Sequence, residues 1–236
     1  MKRADQLADH RSIWERKPVL RLVYDDFYDR IAAACRPGLT IEIGGGIGNL
    51  KRRLTDVIAT DIQNAPWLDC VADAQRLPFA DGCTANIVMV DVLHHLEFPV
   101  VFFREAARVL RPGGRVLMVE PAITWGSSLF YRLFHHEPVR TSADALANGS
   151  PDPRRDPYAS NQAIPTLLAT RDRARFHRLF PRCASRPCNG SHLRPTRSAA
   201  ALSLGAWSAT ASPVACCASS ARLSRRSVAT QRFECC

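Results

Sequence analysis

The sequence predicts an α/β fold built on a doubly wound, mostly parallel sheet. Short apolar runs at 39–43, 57–62, 70–72, 85–90 and 115–120 recur with helical or turn-rich stretches between them. Each run is short and mostly apolar, as strands buried on both faces are. The first leads directly into Gly44-Gly45-Gly46-Ile47-Gly48. With 236 residues and 46% apolar content, the chain can bury one full core.

Taken in order, Pro18 stands at a plausible first helical position. Val19, Val23, Phe27 and Ile31 then repeat at four-residue spacing until Arg36-Pro37-Gly38 ends the helix. After the glycine loop, 50–54 reads as a brief helix. Residues 100–110 form a helix with Phe103, Ala106, Ala107 and Leu110 on one side, closed by the turn Arg111-Pro112-Gly113-Gly114. Residues 127–136 read as a short helix, 138–157 as a long loop rich in Pro, Asp, Ser and Asn, and 169–180 as a helix offering Phe176, Leu179 and Phe180 for packing.

Charge narrows the choice of partner. The net charge is +10, but residues 1–180 carry 24 basic and 21 acidic side chains, a balance of only +3. The other +7 falls in 181–236, where eight arginines face the single acid Glu234. The part expected to fold is nearly neutral, which disfavours a specific nucleic-acid surface. No apolar run reaches the ~18 residues of a membrane span, and the N-terminus lacks a secretory apolar region. The expected location is therefore cytoplasmic, with no transmembrane segment.

Glycines directly after a strand let the backbone turn sharply and approach a ligand. A dinucleotide fingerprint would need glycine or alanine where Asn49 or Lys51 stands, so the dehydrogenase reading fits poorly. Glu42-x-Gly44-x-Gly46-x-Gly48 instead resembles the first motif of class I methyltransferases that use S-adenosyl-L-methionine. Four further segments follow in that class's order: Asp61 at the end of the second run, 19 residues after Glu42; Asp73-Ala74 with Leu77-Pro78-Phe79; 90–96, Val-Asp-Val-Leu-His-His-Leu; and 110–114, Leu-Arg-Pro-Gly-Gly. Together they span about 20–135 and look most like the methyltransferase type 11 group, which includes quinone, lipid and small-metabolite enzymes.

The resemblance implies a Rossmann-like sheet ordered 3-2-1-4-5-7-6, with the cofactor across the carboxyl ends of strands 1, 2 and 4. It implies cofactor contacts from Glu42, Gly44, Gly46, Gly48, Asp61, Ile62, Asp73, Ala74 and Asp91. A carboxylate at 61 suits a vicinal diol, since it can accept from both hydroxyls. Glu42 has an equal alternative as an acid tying down loop amides, Asp73-Ala74 as an ordinary turn, and Gly113 and Gly114 as turn residues only. No metal is expected.

The sulfonium makes the methyl group an activated electrophile, so alignment of a nucleophile is the protein's main task. A base is wanted where the acceptor must lose a proton. His94 and His95, just beyond the fourth strand, are the first candidates for a catalytic role, followed by His135, His136, Glu120 and Tyr131; a structural imidazole is the alternative. Trp14, Trp125, Phe130, Tyr131 and Phe134 are candidates to line an apolar acceptor pocket, or to pack in the core. The expected function is methyl transfer to a small-molecule or lipid-precursor acceptor. The alternatives are a catalytically silent S-adenosylmethionine-binding remnant and an RNA methyltransferase, which draws only on the tail's arginines.

The expected organisation is 1–38, an N-terminal helical segment and substrate cap; 39–137, the cofactor-binding methyltransferase domain; 138–180, a substrate loop and helix; and 181–236, an anomalous tail. Arg, Ala, Ser, Pro and Cys dominate the tail, lysine is absent and no alternation marks a strand; 199–204 is the best candidate. A shifted reading frame in a GC-rich gene accounts for this composition, with a disordered basic tail second. A metal site from Cys183, Cys188 and His192 has no accepted zinc spacing. Strands 6 and 7 are accordingly expected to be missing or disrupted, leaving the fifth strand as an open edge.

Overall fold

The structure is a computed structural model describing residues 6–123 and 137–181, and 183–187 and 228–235 as backbone alone. The sheet is seven-stranded: β1 Thr40–Ile43, β2 Val57–Asp61, β3 Cys70–Val71, β4 Thr84–Val90, β5 Leu110–Pro121, β6 Cys183–Pro187 and β7 Val228–Cys235. Its order is β3-β2-β1-β4-β5-β7-β6. The first five strands are parallel, whereas β7 runs antiparallel to β5 and β6 antiparallel to β7.

Two helices precede the sheet, α1 Gln6–Arg16 and α2 Pro18–Ala34. Pro18 occupies the first turn of α2, where a missing N–H costs nothing. α3 Pro99–Val109 links β4 to β5. Two short helices, α4 Ile164–Ala169 and α5 Arg173–Leu179, follow the long loop. Among the described residues no helix is long and apolar enough to cross a membrane.

Strand periodicity divides the core. Ile41, Ile43, Ile87, Met89, Val116 and Met118 face α3, α4 and α5, with Phe102, Phe103 and Phe176 filling that side. Val88, Leu117 and Val119 face the other way onto Phe27, Tyr28 and Ile31 of α2 and Leu50. Alternating residues of β4 and β5 thus serve opposite layers. Phe103 and Phe176 meet edge to face with centroids 4.7 Å apart, which places α5 on α3.

Several local expectations are corrected. The expected helix at 50–54 is one 3-10 turn, Asn49–Arg52, because the chain has only four residues before it must enter β2. Residues 111–114 belong to β5 rather than to a separate turn, though the register shifts between Thr84 and Asn86 and Gly113 keeps a positive φ of 75°. The expected helix at 169–180 is split at Thr170, where φ −122° and ψ −92° break it. The buried Asp172 then holds Arg171 and Arg175 together. α1 falls within the expected N-terminal helical segment 1–38, but the periodicity delimits only the helix from Pro18, since α1 is polar apart from the few side chains, Leu7 and Trp14 among them, that it buries.

The tail differs from its expectation as well. Instead of leaving β5 open, the backbone of 228–234 pairs with Arg115–Pro121, and 183–187 pairs with β7. Ladder hydrogen bonds are made by main chain, so an exposed edge accepts extended chain whose side chains carry no strand pattern. The segments 124–136, which include the expected helix at 127–136 with Trp125, Phe130, Tyr131, Phe134, His135 and His136, and the stretch 188–227 with the 199–204 candidate and the proposed ligands Cys188 and His192, lie outside the described residues.

Candidate active site

The carboxyl ends of β1, β2 and β4 open into a cavity of about 810 Å³. α1 and α2 form one wall, and residues 151–158 another. The volume suits a nucleoside-sized ligand with room beside it, within the usual range for small-molecule sites.

The glycine loop forms the floor. Gly44, Gly46 and Gly48 have φ of 64°, 52° and 71°, a region that L side chains avoid. A Cβ at Gly44 would overlap the Val92 side chain, whereas one at Gly46 would meet only the Gly44 carbonyl at 3.9 Å. The loop is held internally: the Gly45 N–H donates to Thr60 O (2.7 Å), the Gly48 N–H to Gly45 O (2.7 Å) and the Trp67 indole N–H to Gly46 O (2.8 Å).

Asp61, at the end of β2, is buried yet lines the cavity. Its Oδ2 accepts from the Gly46 N–H (3.1 Å) and its Oδ1 from the Gln63 N–H (3.0 Å). The Ile62 amide acts on the same carboxylate, and its remaining lone-pair capacity is available to a ligand hydroxyl. Burial pushes its pKa up, with the backbone donors working against the rise. Ile62, Asp73 and Ala74 line the same end of the cavity; the Asp73 carboxylate accepts from the Gln75 N–H (2.8 Å).

Asp91, just past β4, has φ 57°, the only positive φ of a non-glycine residue among the described residues. Its Oδ2 accepts from the Tyr24 hydroxyl at 2.6 Å. Burial, reinforced by the Glu120 charge, pushes the Asp91 carboxyl up to about 7. The 3-10 turn Leu93–His95 follows. Glu120 Oε1 accepts from the Val92 and Leu93 amides (2.8 and 2.6 Å), satisfying donors at the start of that turn, while Oε2 lies 2.8 Å from His94 Nδ1. Burial alone would lower the His94 pKa; the bond to Glu120 and the nearby carboxylates outweigh it, and the pKa is raised. His95 goes the other way, down to about 4, through burial and the His94 charge. Its Nδ1 is buried without a hydrogen-bond partner among the described residues.

Of the residues expected to hold a cofactor, Gly44, Gly46, Asp61, Ile62, Asp73, Ala74 and Asp91 line this cavity, as do His94 and His95. Glu42 and Gly48 are not among its lining residues. Glu42 lies behind the loop, where Tyr28 and the Leu50 amide bond it and burial pushes its pKa up to about 8. Gly48 borders a smaller cleft of about 270 Å³ with Trp14 and Trp67. Sequence reasoning missed Tyr24, His10, Gln63, Glu137 and Tyr158, all of which face the cavity or bond a residue that does. They lie outside the glycine-loop motifs, so no spacing rule reaches them.

A glycine loop with three positive φ values after β1, an acid closing β2 and a cavity across the β1, β2 and β4 ends define the Rossmann-like fold of class I methyltransferases. Residues 41–118 match the family described as Methyltransferase domain, whose cofactor is S-adenosyl-L-methionine. Two curated relatives are similar to this chain. A ubiquinone/menaquinone biosynthesis C-methyltransferase of Laribacter hongkongensis is 30% identical over 115 residues, 39% of this chain and 47% of that protein. A demethylmenaquinone methyltransferase of Beutenbergia cavernae is 32% identical over 120 residues, 43% of this chain and 50% of that protein. The chain thus spans about half the length of the curated relatives it matches. Among solved structures, a 1,6-didemethyltoxoflavin-N1-methyltransferase of Burkholderia thailandensis aligns with TM-score 0.40 and 16% identity, over 51% of this chain and 60% of that one.

Proposed function

We propose that this protein transfers a methyl group from S-adenosyl-L-methionine to a small-molecule or lipid-precursor acceptor. The observation that carries the reading is Asp61. It is buried, fixed by backbone donors, and still lines a cavity floored by side-chain-free glycines. That arrangement suits a ribose against backbone. When bound, the cofactor supplies a methyl group already activated by a sulfonium charge.

The residues named at the site divide the remaining work. Gly44 and Gly46 allow close approach of the nucleoside, Asp61 accepts from its ribose, and Ile62, Asp73 and Ala74 border the base. Asp91, oriented by Tyr24, offers a carboxylate to a cationic group, and Glu42 and Gly48 keep the loop in shape. His94, whose pKa the bond to Glu120 raises, is held in place by that carboxylate and set up to orient. His95 is neutral at pH 7 and is the better-placed imidazole to accept a proton from an acceptor molecule.

In this reading residues 1–38 cap the cavity, 39–137 bind the cofactor and 138–180 complete the acceptor side. The names of the two curated relatives make quinone precursors the first acceptors to assay. Isothermal titration with S-adenosylhomocysteine, combined with identification of co-purified ligands by mass spectrometry, tests the reading. Micromolar binding supports it, and no binding by folded protein overturns it. A turnover assay then separates an enzyme from a protein that only binds the cofactor.

A further inference from the structure

The long loop that the sequence marks out after residue 138 is strapped over the cavity. The Asp152 N–H donates to Glu97 Oε2 (2.9 Å), Arg155 donates to the His95 carbonyl (2.6 Å) and the Asn161 N–H to the His94 carbonyl (2.8 Å). These anchors all fall on 94–97, one side of the cavity. Tyr158 crosses to the other side, where its hydroxyl oxygen accepts from Gln63 Nε2 at 2.8 Å, two residues beyond Asp61. Its ring meets His10 of α1 and His95 edge on, each with centroids 6.3 Å apart.

Donor and acceptor bookkeeping gives this position a consequence. Asp61 is acceptor-only when ionised, so it binds a diol through the diol's protons and leaves the lone pairs of the ribose oxygens unserved. Beside it, the Tyr158 oxygen takes its proton from Gln63, so its own O–H proton is left to donate. Burial and the Asp61 charge push its pKa up to about 12, which keeps the phenol protonated and a donor at all ordinary pH values.

We infer that Tyr158 is a ribose-positioning residue: its hydroxyl, fixed by Gln63 and carried on the strap 151–162, donates to the nucleoside diol whose protons Asp61 accepts. The inference rests on the cofactor site proposed above. It assigns a donor wall to that site from outside the segment 41–118.

The test is isothermal titration of wild type, Tyr158→Phe and Gln63→Ala with S-adenosylhomocysteine, adenosine and 2′,3′-dideoxyadenosine. Loss of one neutral hydrogen bond predicts an affinity about 3- to 12-fold lower for S-adenosylhomocysteine and for adenosine in Tyr158→Phe. Binding of 2′,3′-dideoxyadenosine, which has no diol, should be the same for both proteins. Gln63→Ala leaves the tyrosine in place but unfixed, and should shift the same two ligands by a smaller factor; it also serves if Tyr158→Phe does not fold. Unchanged adenosine affinity in both variants overturns the inference, as does an equal loss for the dideoxy compound. Failure of wild type to bind any of the three would instead sink the cofactor reading itself.

Discussion

His94 and Glu120 form a buried pair, Nδ1 to Oε2 at 2.8 Å, with side chains only 4% and 2% exposed. The second oxygen of the same carboxylate holds the Val92 and Leu93 amides. One acid at the end of β5 therefore fixes the course of the chain after β4 and raises the pKa of the first histidine.

Glu120→Ala should lower stability by about 3 kcal/mol, because it leaves a buried imidazole and two amides without a partner. The sign of its pH dependence follows from the raised His94 pKa. Stabilisation by the pair is fully present below the ordinary histidine value of about 6.5 and is lost as pH rises through the folded value. Urea unfolding of both proteins at pH 6 and pH 9 should show the larger gap at pH 6. A gap that does not change with pH would mean that His94 is neutral.

Asp61→Asn should weaken S-adenosylhomocysteine binding by about 10-fold or more, the range expected when a charge-assisted hydrogen bond becomes neutral. Because burial raises the Asp61 pKa, wild-type affinity should fall with decreasing pH sooner than an ordinary carboxylate would predict. Titrations from pH 8 to pH 4 on both proteins check this, and the variant should lack that loss.

The two glycines should separate packing from backbone strain. Gly44→Ala forces a Cβ into Val92 as well as a disfavoured φ, and should cost about 2 kcal/mol or more. Gly46→Ala makes only an ordinary contact with the Gly44 carbonyl at 3.9 Å, so its φ of 52° is what opposes it, at about 1 kcal/mol. Thermal unfolding should rank them in that order, with Gly44→Ala partly rescued by Val92→Ala.

Phe176→Ala should cost about 3 kcal/mol by removing the ring that seats α5 against Phe103. Neither Phe103 nor Phe176 lines the cavity, so S-adenosylhomocysteine affinity at a temperature where the variant is folded should stay within about twofold of wild type.

The sequence by itself determined the parallel strands, the glycine loop and Asp61, because each is a local matter: apolar runs specify buried strands, and a backbone forced to positive φ specifies glycine. It also marked the loop after residue 138 as out of the ordinary. Only the tertiary structure decided that Glu42 stands behind the loop rather than in the cavity, that the pKa of His94 is raised while that of its neighbour is lowered, and that Tyr24 and Tyr158 reach Asp91 and Gln63 across separations of 67 and 95 residues. Ionisation and long-range hydrogen bonds depend on burial and on which strand lies beside which. Those are properties of the assembled sheet, and no spacing along the chain encodes them.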